Sequence, residues 1–135
     1  MTSTVEYQGD LRTTCLHIKS GQIIVTDAPT DNQGRGEAFS PTDLLATSLG
    51  ACMLTIMGIS ANRHGIALAG TKVEITKVMA ENPRRVSQII AAVVFPVTLK
   101  LQDKEKNILE NAARQCPVAK SLHPDIDQRI DFTYL

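Results

Sequence analysis

Between Asp43 and Arg63 the chain carries no charged side chain. Leu44, Leu45, Leu49, Cys52, Met53, Ile56, Met57 and Ile59 fall within that stretch, and at helical spacing they point in every direction. Its flanks read as helix ends. Ser40 is a cap, Pro41 suits the first helical position and Asp43 supplies the acid of a capping box. Arg63 and His64 fill the last turn, and Gly65 is the left-handed stop. The helix predicted from Ser40 to His64 runs about 24 residues, or roughly 36 Å. A helix apolar on all sides must be buried on all sides, and a chain of 135 residues has too little else to surround it. A second subunit is therefore expected to share the burial, making a homodimer.

The remaining elements follow from alternation and turn chemistry. Val5 and Tyr7, Leu11 to Lys19, and Gln22 to Thr26 read as a three-stranded meander with turns at Gly9-Asp10 and Ser20-Gly21. Ala28 to Phe39 holds too many turn formers for an element and is a loop of about a dozen residues, a length often functional in a compact domain. Thr71 to Ala80 and Arg85 to Val97 form a hairpin turning at residues 81–84, the second strand apolar enough to be central. Asp103 to Arg114 is helical with Asp103 as candidate cap, Cys116-Pro117 opens a short helix, and Ile126 to Leu135 alternates as a last strand. The order is that of an α+β protein in one domain, residues 1–135.

Composition excludes several functions. Lys plus Arg equals Asp plus Glu at 14 each, so no net field draws nucleic acid or an acidic membrane. At 4% aromatic residues and no Trp, base-stacking platforms are poorly supplied. The N-terminus lacks the pattern of a signal peptide, and no stretch is expected to reach the roughly 18 uncharged apolar residues of a membrane span. The expected location is the cytoplasm.

A reducing compartment makes Cys15, Cys52 and Cys116 of interest, because disulfides there are usually transient or catalytic. Cys52 in mid-helix reads most simply as a small buried hydrophobe. Cys116 directly precedes a helix, where unpaired amides and the dipole favour a thiolate. Cys15, on a strand, is a packing residue. Metal binding is disfavoured: there is no Cys-x-x-Cys, and His17, His64 and His123 are scattered. Nothing implies a cofactor. Ser48 does not stand in a Gly-x-Ser-x-Gly elbow.

The segments SPTDLLATSLGACMLTIMGI at Ser40–Ile59 and CPVAKSLHPDI at Cys116–Ile126 together resemble the OsmC/Ohr family of hydroperoxide reductases, with element order similar over nearly the whole chain. The resemblance implies an intertwined homodimer whose long central helices are wrapped by antiparallel sheets from both subunits. It implies that Cys52 attacks an organic hydroperoxide and becomes a sulfenic acid, that Cys116 condenses with it to a disulfide, and that a dithiol reopens the bond. Where the local dipole argument makes Cys116 the more acidic thiol, the resemblance assigns the attack to Cys52.

The family supplies an arginine to the attacking thiolate, and Arg12 matches that position best, with Arg35 as second choice. Family members orient this arginine with a glutamate directly after the helix-opening proline, where this sequence has Thr42. Asp43, one residue later, and Glu37, in the loop, are the candidate replacements. The missing glutamate also motivates an alternative: a redox sensor, or a carrier of a sulfur species or small ligand, on the same fold without efficient turnover.

Overall fold

The computed structural model describes residues Met1–Leu135 as two compact units, Met1–Leu45 and Ala46–Leu135. In the first unit, β1 (Ser3–Gly9), β2 (Arg12–His17) and β3 (Ile23–Asp27) form an antiparallel sheet in the order β1-β2-β3. Its register differs from a tight turn at Ser20-Gly21. Such a turn would set Arg12 opposite Pro29, whereas residues 18–21 all lie in the connection and Arg12 faces Asp27. The loop that follows folds back on itself through a single 3₁₀ turn at Thr30–Asn32. Gly34 passes so close to the Ala28 carbonyl that a Cβ would lie 1.7 Å from its oxygen, so only glycine fits there.

Helix α1 (Pro41–Arg63) starts as the sequence predicts. The Ser40 N–H donates to Asp43 Oδ2 at 2.9 Å, and the Asp43 N–H donates to Ser40 Oγ at 3.0 Å. It ends at Gly65, whose φ of 66° is left-handed and allows the Ile66 N–H to reach back to the Ala61 carbonyl.

In the second unit, β4 (Lys72–Ala80), β5 (Arg85–Phe95) and β6 (Asp127–Tyr134) form a sheet with β5 central. β4 and β5 are antiparallel, but β5 and β6 are parallel, so this sheet is mixed and not the antiparallel sheet expected. The helical crossover α2 (Asp103–Ala113) and α3 (Pro117–Ser121) returns the chain to the same end, which dictates the parallel pairing. Gln102, not Asp103, precedes the first turn of α2, and its N–H donates to Glu105 Oε1 at 2.9 Å. On β5 a bulge leaves Ser87 unpaired between Val86 and Gln88. Val86 and Ile89 therefore both face inward although three residues apart.

The core of this unit joins Ala46, Leu49, Met53, Met57 and Ala61 of α1 with alternate residues of β5 and with Leu109 and Ala113 of α2. Their spacing of three and four along α1 is one stripe. Gly50 lies in the same stripe, where an added Cβ would stand 3.1 Å from Ile75 Cδ1 on β4. The helix is thus buried on one side, while Leu45 and Ile59 remain exposed. By length and composition α1 is apolar enough to cross a membrane, with a mean hydropathy of 1.8, which corrects the expectation that no stretch qualifies. Its Ser, Thr and Gly residues dilute the apolar character too little to matter. The core stripe gives that character a use within the fold.

Candidate active site

Two side-chain groups carry chemistry, one in each unit. In the second unit α1 presents Cys52 half-buried against the core, and the turn after α2 presents Cys116 with no exposed surface. The two thiols are close enough for Cys52 to raise the pKa of Cys116, although 64 positions separate them in sequence (116 − 52). Cys116 is the N-cap of α3 and its Sγ accepts from the Ala119 N–H at 3.2 Å. The helix start therefore contacts the sulfur as the dipole argument requires. Burial nevertheless prevails: it pushes the Cys116 thiol above its ordinary pKa, the neighbouring Cys52 adds to the rise, and the Ala119 and Val118 amides only partly offset it. The dipole argument for an acidic Cys116 fails for that reason, since desolvation exceeds what the Ala119 and Val118 amides of a five-residue helix offset.

In the first unit Arg12, at the start of β2, is locked to Asp27, at the end of β3. Arg12 Nε donates to Asp27 Oδ1 and Nη2 to Oδ2, both at 2.7 Å. The Asp27 side chain has no exposed surface, while that of Arg12 keeps 28%. The Glu37 N–H adds a third hydrogen bond to Oδ2 at 3.2 Å. The bonds from Arg12, foremost, hold the Asp27 carboxyl below the usual carboxylate range against the opposing effect of burial. The same contact raises the Arg12 guanidinium.

The hydrogen-bonded partner of Arg12 is thus an acid not named from sequence. Glu37 serves through its backbone and through its charge near Arg12, and Asp43 closes the capping box of α1. Arg35 pairs with Asp10 at 2.8 Å, on the surface. Thr42, in the family glutamate's place, has its Oγ1 3.3 Å from Ser40 Oγ. Asp27 was missed because it falls at the boundary of strand and loop. The available signal was an acid opposite an arginine on neighbouring strands, legible only once the register is known.

Cys15 is not a core residue. It stands across the ladder from Val5 and Ile24, both exposed, in an apolar hollow of about 310 Å³. No group of three or more His, Cys, Asp or Glu side chains converges in metal-binding fashion. A pair of neighbouring thiols, one half-exposed and one shielded, is suited to two-electron oxidation of the first and condensation with the second.

Comparison with known proteins places this geometry. The profile of the OsmC-like protein family matches residues 34–131. Among solved structures, a candidate osmotic-stress-induced and detoxification-response protein from Psychrobacter arcticus is 58% identical, with a TM-score of 0.94 over 98% of this chain and 96% of that one. An OsmC-like protein from Mycoplasma pneumoniae is 18% identical with a TM-score of 0.81, covering 98% and 95%. An organic hydroperoxide resistance protein from Legionella pneumophila is 16% identical with a TM-score of 0.75, covering 98% and 97%. The last two show a shared fold. No curated protein matches the chain.

Proposed function

The chain belongs to the OsmC-like protein family, and from that membership we propose that it is a thiol-dependent peroxidase acting on organic hydroperoxides. The observation that carries this reading is the contact between Cys52 and Cys116. The Cys52 thiolate attacks the terminal peroxide oxygen: an S–O bond forms, the O–O bond breaks, and the alkoxide takes a proton and leaves as an alcohol. Cys52 is thereby oxidised by two electrons to a sulfenic acid and the peroxide is reduced. The Cys116 sulfur then attacks Cys52, forming the disulfide and releasing water, and an external dithiol reduces the bond by exchange while becoming a disulfide itself. The raised pKa of Cys116 suits this order, because a thiol that stays neutral does not compete for the peroxide.

By its match to the family's arginine, Arg12 is the cation that polarises the peroxide. The working molecule is a homodimer, a reading supported by apolar side chains left exposed on α1 and on the β1–β3 sheet, among them Leu45, Ile59, Val5 and Ile24. The apolar surroundings favour organic hydroperoxides over hydrogen peroxide. The alternative, sensing or carriage without turnover, is motivated by the glutamate missing at Thr42, and the Asp27 partner of Arg12 supports turnover over it.

The test is consumption of cumene hydroperoxide and of hydrogen peroxide, with dithiothreitol or dihydrolipoate supplied. Turnover should favour the organic peroxide and vanish in Cys52→Ser, while Cys116→Ser should accumulate a sulfenic acid that dimedone traps. Unchanged consumption by folded, reduced Cys52→Ser protein would refute the reading. Stoichiometric oxidation that common dithiols do not reverse would support a sensor instead.

A further inference from the structure

We propose that Asp27 is the positioning residue of the arginine: it fixes the direction in which Arg12 presents its charge. The inference rests on the roles given above to Arg12 and Cys52. Three features argue for positioning rather than a passive ion pair.

The first is the fork. Asp27 takes Nε and Nη2 in parallel, 2.7 Å each, which fixes the guanidinium plane and leaves the Nη1 edge unused by this contact. A lysine or a single hydrogen bond would leave the charge free to swing. The second is burial. The Asp27 side chain is fully shielded, and a buried ion pair is a poor source of net stability compared with apolar packing. Its geometry is what distinguishes it.

The third is what holds Asp27. Arg12 and Asp27 are direct partners in the β2–β3 ladder, and the Asp27 N–H donates to the Phe39 carbonyl while the Glu37 N–H donates to its carboxylate. The far end of the 28–39 loop is thus fastened back to the residue from which the loop departs, and its Gly34 admits no side chain. The anchor belongs to the sheet that carries the arginine, so Thr42 at the helix start is no defect. An arginine held this way keeps its aim independently of the first turn of α1.

The experiment measures two quantities in the full-length protein: kcat/KM for cumene hydroperoxide, and the pH midpoint for alkylation of Cys52 by iodoacetamide. The variants are Arg12→Ala, Asp27→Asn, Asp27→Glu and the Arg12→Ala/Asp27→Asn double. Asp27→Asn should lower kcat/KM by about 100-fold, the scale of a misplacement near 1 Å, and move the alkylation midpoint to higher pH. A carboxylate acting only by its own charge would do the opposite, because its removal favours the thiolate. The double variant should be no worse than Arg12→Ala, as expected when one residue acts through the other.

Asp27→Glu keeps the pair but displaces it, so its melting temperature should stay near wild type while kcat/KM falls between the other two. If Asp27→Asn does not fold, Asp27→Glu decides alone, and a kcat/KM equal to wild type overturns the proposal. An unchanged or lowered alkylation midpoint in folded Asp27→Asn overturns it too, as does a double variant worse than Arg12→Ala. If wild type does not turn over but the midpoint still rises in Asp27→Asn, the positioning role stands and the peroxidase reading fails.

Discussion

Asp27 and Cys116 are each perturbed toward one protonation state, and each makes stability depend on pH in its own direction. The folded chain holds Asp27 ionised through its hydrogen bonds from Arg12. Its contribution is therefore present above the ordinary carboxyl pKa of about 3.9 and is lost as pH falls through the lowered folded value. Urea midpoints measured from pH 6 downward should fall in wild type and run flatter in Asp27→Asn. Cys116 works the other way. Burial and the Cys52 contact favour the neutral thiol, so its contribution is complete below the ordinary thiol pKa of about 8.5 and is lost as pH rises through the raised folded value. An alkaline loss of stability that disappears in Cys116→Ser would show it. The same shielding predicts order of labelling: iodoacetamide followed by mass spectrometry should modify half-buried Cys52 before Cys116, which exposes no surface.

At the scale of elements, α1 is the test of packing. Its inner stripe includes Gly50, close against Ile75 and Val73 of β4. Two effects compete when Gly50 becomes Ala: a gain of about 1 kcal/mol in helix propensity and a methyl group set 3.1 Å from the flexible end of Ile75. These nearly cancel, so Gly50→Ala should leave the urea midpoint almost unchanged. Gly50→Leu adds bulk that the end of one side chain cannot absorb, and should cost about 1–3 kcal/mol. Met53→Ala or Met57→Ala, both fully buried, should cost about 2–5 kcal/mol through the cavity left behind. The cap is a smaller effect: Ser40→Ala removes the hydroxyl that accepts from Asp43, worth about 1 kcal/mol.

For the whole molecule the unfinished surface is the guide. Leu45 and Ile59 on α1 and Val5, Ile23 and Ile24 on the first sheet are large, apolar and exposed in one chain. Scattered apolar residues need no explanation, but the proposed homodimer would give this many a partner to cover them. Sedimentation should give twice the 14.7 kDa of one chain. Ile59→Glu, which would bury a charge in that contact, should shift the population to monomer or lower the melting temperature in a concentration-dependent way. A monomer at micromolar concentration in wild type would contradict the dimer.

Sequence alone determined what depends on near neighbours in the chain. The ends of α1 follow from Ser40, Pro41, Asp43 and Gly65, and the central place of β5 from its unbroken apolar run, because capping and burial act within a few residues. The two cysteine segments carried the family. Tertiary structure decided what depends on register and on solvent. A connection two residues longer than expected set Arg12 against Asp27, and no local pattern encodes a slip of that kind. The parallel pairing of β6 came from where the crossover returned the chain. The raised pKa of Cys116 came from its desolvation, a property of everything packed around it, which outweighed the helix start that the sequence made visible.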